Sequence, residues 1–234
     1  KVLDLSITKN VASMFVASAL LILVVFAVKA GYEKNKGKAP SGIQSFIEPV
    51  IIYIRDIVAV PNLGHKYKAY FPFLLALFFF ILFNNLLGLL PGGANASGNI
   101  SFTVVLAVIV LLITTFSGNK GYWGHIFAPP GVPVLLYPIM VPVEIIGMFT
   151  KPFALTIRLF ANITAGHIII LSLFSFIFIF KSFAIGIGSS LFVIFMTFLE
   201  LLVAFLQPFI FTMLASLYIG AAIEDHGHAH DEHH

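Results

Sequence analysis

Four titratable side chains lie deep inside long apolar stretches of this sequence: Glu144, Arg158, His167 and Glu200. A charged group at the centre of a bilayer costs about 2.5 to 3.5 kcal/mol or more, so such residues are retained for ion transfer or gating unless they snorkel from a helix end. Lys151 and Lys181 fit snorkelling. Arg158 fits function better, since the 22 residues from Leu159 to Phe180 follow it without a charge. A guanidinium stays ionised at any relevant pH and suits an electrostatic gate. An imidazole beside a carboxylate in a low-dielectric site can relay a proton, because His titrates near neutrality and burial brings a carboxyl into the same range.

Helical spacing sorts the neighbours. Ala154, Ala161, Asn162 and Ala165 share the face of Arg158, and small residues there admit close approach of another helix, from a partner or from this chain. His167, nine residues on, falls on the opposite side. Glu200, Ala204 and Gln207 share one face of the last segment. If the last two segments pair antiparallel, His167 and Glu200 meet in a polar pocket apart from Arg158, as a proton relay or as a static hydrogen-bonded pair. Glu144 has Lys151 seven residues later on its own face, so a structural ion pair is as good a reading as a proton site. Asn84 and Asn85 are amides in an apolar span, suited to helix–helix hydrogen bonding or to lining a file of water.

The elements that must hold these groups follow from composition. Of 234 residues, 59% are hydrophobic and only 10% charged, against about 25% charged in a soluble domain. No Asp, Glu, Lys or Arg occurs over the 51 residues between Lys68 and Lys120. About 20 apolar residues span a bilayer as a helix, so the chain reads as an all-α polytopic membrane protein with about five spans. Absence of Cys removes thiolate chemistry and leaves the redox compartment open. A net charge of +3 is too small and too scattered for nucleic-acid binding. No phosphate-cradling glycine motif is present, so any nucleotide chemistry belongs to a partner chain, and no cofactor is expected. The chain opens on Lys1 rather than Met, which is compatible with upstream residues, a signal peptide among them.

A single membrane domain over 1–234 is expected. The first span covers 11–28 and stops at the basic run Lys29, Lys34, Lys36, Lys38. Residues 43–60 read as an amphipathic helix on the membrane surface, with Gln44, Ser45, Glu48, Arg55 and Asp56 opposite Ile47, Val50, Ile51, Ile54 and Val58. Spans at 70–90 and 100–117 end in turn chemistry at Pro91-Gly92-Gly93 and Ser117-Gly118-Asn119. Seven Lys and Arg fall between the first two spans and none in 91–99, which places the former inside and the latter outside, with the N-terminus outside and the C-terminus inside. Segments 134–180 and 182–223 are about twice too long for a simple span. They read as a long hairpin turning near Lys181, tilted, broken at Pro138, Pro142, Pro152 or Pro208, or both. The tail 224–234 carries five His without metal-ligand spacing and reads as solvated; no metal site is expected.

The run Lys151-Pro-Phe-Ala-Leu-Thr-Ile-Arg158-Leu-Phe-Ala-Asn162-Ile-Thr-Ala-Gly166-His167 resembles the signature of subunit a of the F-type ATP synthase. Glu200-Leu-Leu-Val-Ala-Phe-Leu-Gln207 is similar to its last-helix motif, and Asn85-Leu-Leu-Gly-Leu-Leu-Pro91 to its early-span motif. Glu144 falls fourteen residues before Arg158, where the family has an acid. The likeness runs in order from 10 to 223. It implies that Arg158 faces the carboxylate of a rotating c-ring and blocks direct proton leak, with Asn162 and Gln207 beside it. His167 and Glu200 would line the half-channel from outside, Asn85 would lie near it, and Glu144 would serve the cytoplasmic half-channel. It also implies peripheral-stalk b subunits as partners, a bacterial inner membrane or, alternatively, a mitochondrial one, and no catalytic site of the chain's own. The sequence departs from the family pattern in two ways: relative to many bacterial members His167 and Glu200 are exchanged, in the mitochondrial order, and Gly88 stands where some members have an acid.

The residues support the same mechanism on physical grounds. Two separate polar pockets conduct only if something carries the proton between them, and a rotating carboxylate is such a carrier. A proton crossing about 150 mV releases roughly 3.5 kcal/mol, so several drive one ATP synthesis elsewhere. Na+ stays open beside H+ as the transported ion, since the choice depends on the ring. The competing classes are a self-contained cation/proton antiporter using Glu144, Arg158 and Glu200, which inverted repeats would favour, and a scaffold without transport, which gives no reason to bury these charges.

Overall fold

The computed structural model describes residues 9–34, 42–90, 99–127, 136–180 and 183–223. The side chains of Lys151, Arg158, Asn162 and His167 and some of their neighbours lie outside the described residues, as do the expected turns at Pro91-Gly92-Gly93 and Lys181 and the tail from Glu224. All described elements are helical: α1 (Lys9–Lys34), α2 (Ile43–Tyr53), a π turn (Ile54–Ala59), α3 (Val60–Leu63), a 3-10 turn (Gly64–Lys66), α4 (Tyr67–Leu89), α5 (Ile100–Ser117), α6 (Lys120–Phe127), α7 (Tyr137–Phe180) and α8 (Phe183–Ile223). Four described stretches are long and apolar enough to cross a membrane: Lys9–Glu33, Ile43–Leu89, Ile100–Ser117 and Gly186–Ile223. Two shorter apolar stretches, Tyr137–Thr150 and Thr164–Phe180, lie within α7. The protein is a polytopic helical membrane protein.

Helix α4 is apolar all round and gives side chains to two clusters. Leu74, Leu77 and Ile81 face Phe102, Leu106 and Val110 of α5 and Phe211, Ala215 and Ile219 of α8. Its other side gives Phe78, Phe79 and Leu82 to Val28 of α1, Ile47 of α2 and Ile54 and Val58 of the π turn. The apolar side of the amphipathic stretch is therefore used against protein, while Ile43, Phe46, Ile52, Tyr53, Ile57 and Val60 are its exposed apolar residues. Gln44, expected on the polar side, is buried: it lies against Gly31 of α1 and donates to Glu48 at 3.2 Å.

Helices α7 and α8 pack side by side. Each is a single helix, so the breaks expected at proline do not occur. Pro138 and Pro142 lie in the opening turns of α7, where few donors are lost. Forty-four residues of α7 measure about 66 Å at 1.5 Å each.

Lipid tails are as apolar as Leu, so apolar contact alone does not fix helix register in a membrane; small residues and polar bonds do. Lys66 Nζ donates to the Ile223 carbonyl at 3.3 Å, and Asn85 Nδ2 to the Ala204 carbonyl at 3.2 Å. The two contacts are 19 residues apart on both chain segments, which makes α4 and α8 antiparallel without slippage. Ahead of that pairing, α3 also locks onto α8: Asn62 Nδ2 donates to Ser216 Oγ at 2.8 Å, and the backbone of α8 at Gly220 touches the Asn62 carbonyl.

Candidate functional site

Where the end of α4 meets α7 and α8, a cavity of about 250 Å³ opens, lined by Asn85, Gly88, Gly166, Glu200 and Ala204, with Ala165 at its rim. The small side chains make the room, Leu89, Ile169, Met196, Leu199 and Val203 complete a mainly apolar wall, and Asn85 and Glu200 are the polar groups set in it. Asn85 is 3% exposed, and its Oδ1 has no hydrogen-bond partner among the described residues. Water is the natural partner for such an atom.

Glu200 is held from the α7 side by Gly166: a Cβ there would lie 3.1 Å from Glu200 Oε1, which is itself shielded from solvent. The antiparallel hairpin thus sets Glu200 against Gly166, the residue before His167; the expected meeting of His167 and Glu200 falls on a side chain that lies outside the described residues. Seven residues further along α8, Gln207 is 1% exposed. By the register that Gly166 and Glu200 define, the backbone of Arg158 stands at the level of Gln207.

Glu144 lies elsewhere. It is partly exposed near the start of α7, beside Tyr122 of α6. Burial pushes the Tyr122 phenol up, and the Glu144 carboxylate adds to the rise. Along α7, Glu144 and Gly166 are about 33 Å apart, with the Arg158 backbone between them. The structure therefore brings Asn85 and Glu200 together and separates Glu144 from both. Ala154 and Ala161, on the Arg158 face, are exposed, and Ala165 is exposed at the cavity rim; no helix of the described residues covers this face.

Sequence reasoning missed the part played by Gly88 and Gly166 as cavity walls, and Tyr122 as the neighbour of Glu144. It also missed that Asn85 serves the carbonyl of Ala204. One signal was present: Pro208, four residues after Ala204, announces a carbonyl without its intrahelical donor.

The family model of the ATP synthase A chain matches residues 11–220. Among curated relatives, ATP synthase subunit a 2 of Chlorobaculum tepidum is 50% identical over 98% of this chain and 66% of its own length. ATP synthase subunit a of Chloroherpeton thalassium is 48% identical over 99% of this chain and 72% of its own, and subunit a of an Anaeromyxobacter species 48% identical over 98% and 57%. The chain spans about two thirds of the length of such relatives. With a match over nearly all of its helices, the chain belongs to the ATP synthase A chain family.

Proposed function

We propose that this chain is the proton-conducting stator subunit of a rotary ATP synthase, lying in the bacterial inner membrane against a c-ring and peripheral-stalk b subunits. It has no catalytic site of its own in this reading; ATP chemistry belongs to partner chains. The observation that carries the proposal is the cavity of Asn85, Gly166 and Glu200, set about 33 Å along α7 from Glu144 with Arg158 between them. That is the order two offset half-channels require. Protons enter through the Glu200 and His167 cavity, pass to a ring carboxylate, and leave by the Glu144 end after a rotation.

Arg158, with Asn162 and Gln207 at its level, keeps the two ends from exchanging protons directly. The exposed small-residue face at Ala154 and Ala161 supports a close partner there rather than a helix of this chain. The meeting of Lys66, Asn119 and Ile223 supports a topology in which the start of α4 and the ends of α5 and α8 share the cytoplasmic side. Two helices of this length cross a bilayer about 30 Å thick only with strong tilt. Family membership favours this reading over a self-contained antiporter.

The test is ATP-driven acidification of inverted vesicles holding the assembled complex. Glu200→Ala is expected to lower pumping by about tenfold or more. Native rates in that variant would remove the cavity from the proton path.

A further inference from the structure

Pro208 has no backbone N–H, so the carbonyl of Ala204, four residues earlier in α8, has no intrahelical donor. Ala204 is only 4% exposed, and a carbonyl orphaned there would be costly. The donor comes from a different helix: Asn85 Nδ2 of α4, at 3.2 Å, 119 residues away in the chain. Glu200 lies one helical turn before Ala204 on the same face, and Asn85, Ala204 and Glu200 all line one cavity.

We infer that Asn85 is a positioning residue, supplying the hydrogen bond that Pro208 withholds and so fixing the α8 backbone that seats Glu200 against Gly166. The inference rests on the reading of Glu200 as a proton-carrying group. An amide that only lines the cavity and orders water would matter equally with or without the proline. A donor for Ala204 matters only while Pro208 is present, because a residue with an N–H at 208 closes the α-helical bond itself. Asn85 thus divides its polar atoms: Nδ2 holds the helix, and Oδ1, without a protein partner among the described residues, is left to cavity water.

The experiment is a double-mutant comparison of ATP-driven pumping in vesicles with assembled complex, using Asn85→Leu, Pro208→Ala and the pair, with Glu200→Ala alongside. Asn85→Leu is expected to lower pumping about tenfold in the native background, and less than about threefold relative to Pro208→Ala alone. If Asn85→Leu prevents assembly, the comparison is read on the amount of assembled complex, and Pro208→Ala must then restore it. Equal losses in both backgrounds, or no restoration, would overturn the positioning role. Native pumping by Glu200→Ala would instead count against the proton-transfer reading, so the two failures are distinct.

Discussion

A Cβ added to Gly166 would stand 3.1 Å from Oε1 of Glu200 and 3.4 Å from its carboxyl carbon. The backbone of α7 is thus the floor on which this carboxylate rests. Any side chain at 166 must push the carboxylate by a few tenths of an ångström, while Ala in a helix gains up to about 1 kcal/mol over Gly. Gly166→Ala is expected to leave assembly intact and lower ATP-driven pumping severalfold, with Gly166→Val worse. Pumping at native rates in both would show that the seat of Glu200 is not tight.

Gly220 and Gly147 separate packing from propensity. At Gly220 a Cβ would overlap the Asn62 carbonyl, which is backbone and cannot swing aside, whereas at Gly147 it would meet nothing within 4 Å. Gly220→Ala should destabilise the complex by about 1 to 3 kcal/mol. Gly147→Ala should be neutral or stabilising by up to about 1 kcal/mol. Thermal disassembly of the solubilised complex measures both.

The carboxyl end of α8 is closed by other elements. Asn119 Nδ2 donates to the Ile223 carbonyl at 2.9 Å, the Asn119 N–H to the Ala222 carbonyl at 3.0 Å, and Lys66 Nζ to the Ile223 carbonyl. A cation at this end also opposes the helix dipole. Lys66→Met and Asn119→Ala should each lower disassembly stability by about 1 kcal/mol, and salt should reduce only the Lys66 effect.

Tyr122 lies in α6, outside the apolar spans, and its phenol is raised above 10.0 first by burial and then by Glu144. A raised value favours the neutral phenol in the folded chain. Its contribution to stability is whole below pH 10 and is lost as pH rises through the folded value. Glu144→Gln should lower the Tyr122 titration while leaving it above the ordinary value, because burial remains. Carbon NMR of labelled tyrosine, assigned with Tyr122→Phe, reads this; an unmoved titration would separate Glu144 from Tyr122.

Much of the fold was legible because lipid imposes it. An uncharged run such as Ile100 to Ser117 has few alternatives to a spanning helix, and the length of the last two segments required a hairpin beyond simple spans. The face shared by Glu200, Ala204 and Gln207 could be read from spacing alone. What spacing could not show was inter-helix register. Spacing brings His167 toward Glu200 only on the condition that the last two helices pair antiparallel, it does not single out Gly166 as the seat, and Asn85 reads as any buried amide until Ala204 is seen beside it. The burial of Gln44 escaped for the same reason, since a polar pattern on one helix cannot report that Gly31 of another makes room for it.

In the proposed function Arg158 separates two proton paths. ATP-driven acidification of inverted vesicles, native against Arg158→Ala with equal amounts of assembled complex, tests it most directly. The variant is expected to lose pumping although the complex is intact. Pumping at the native rate in Arg158→Ala would contradict it.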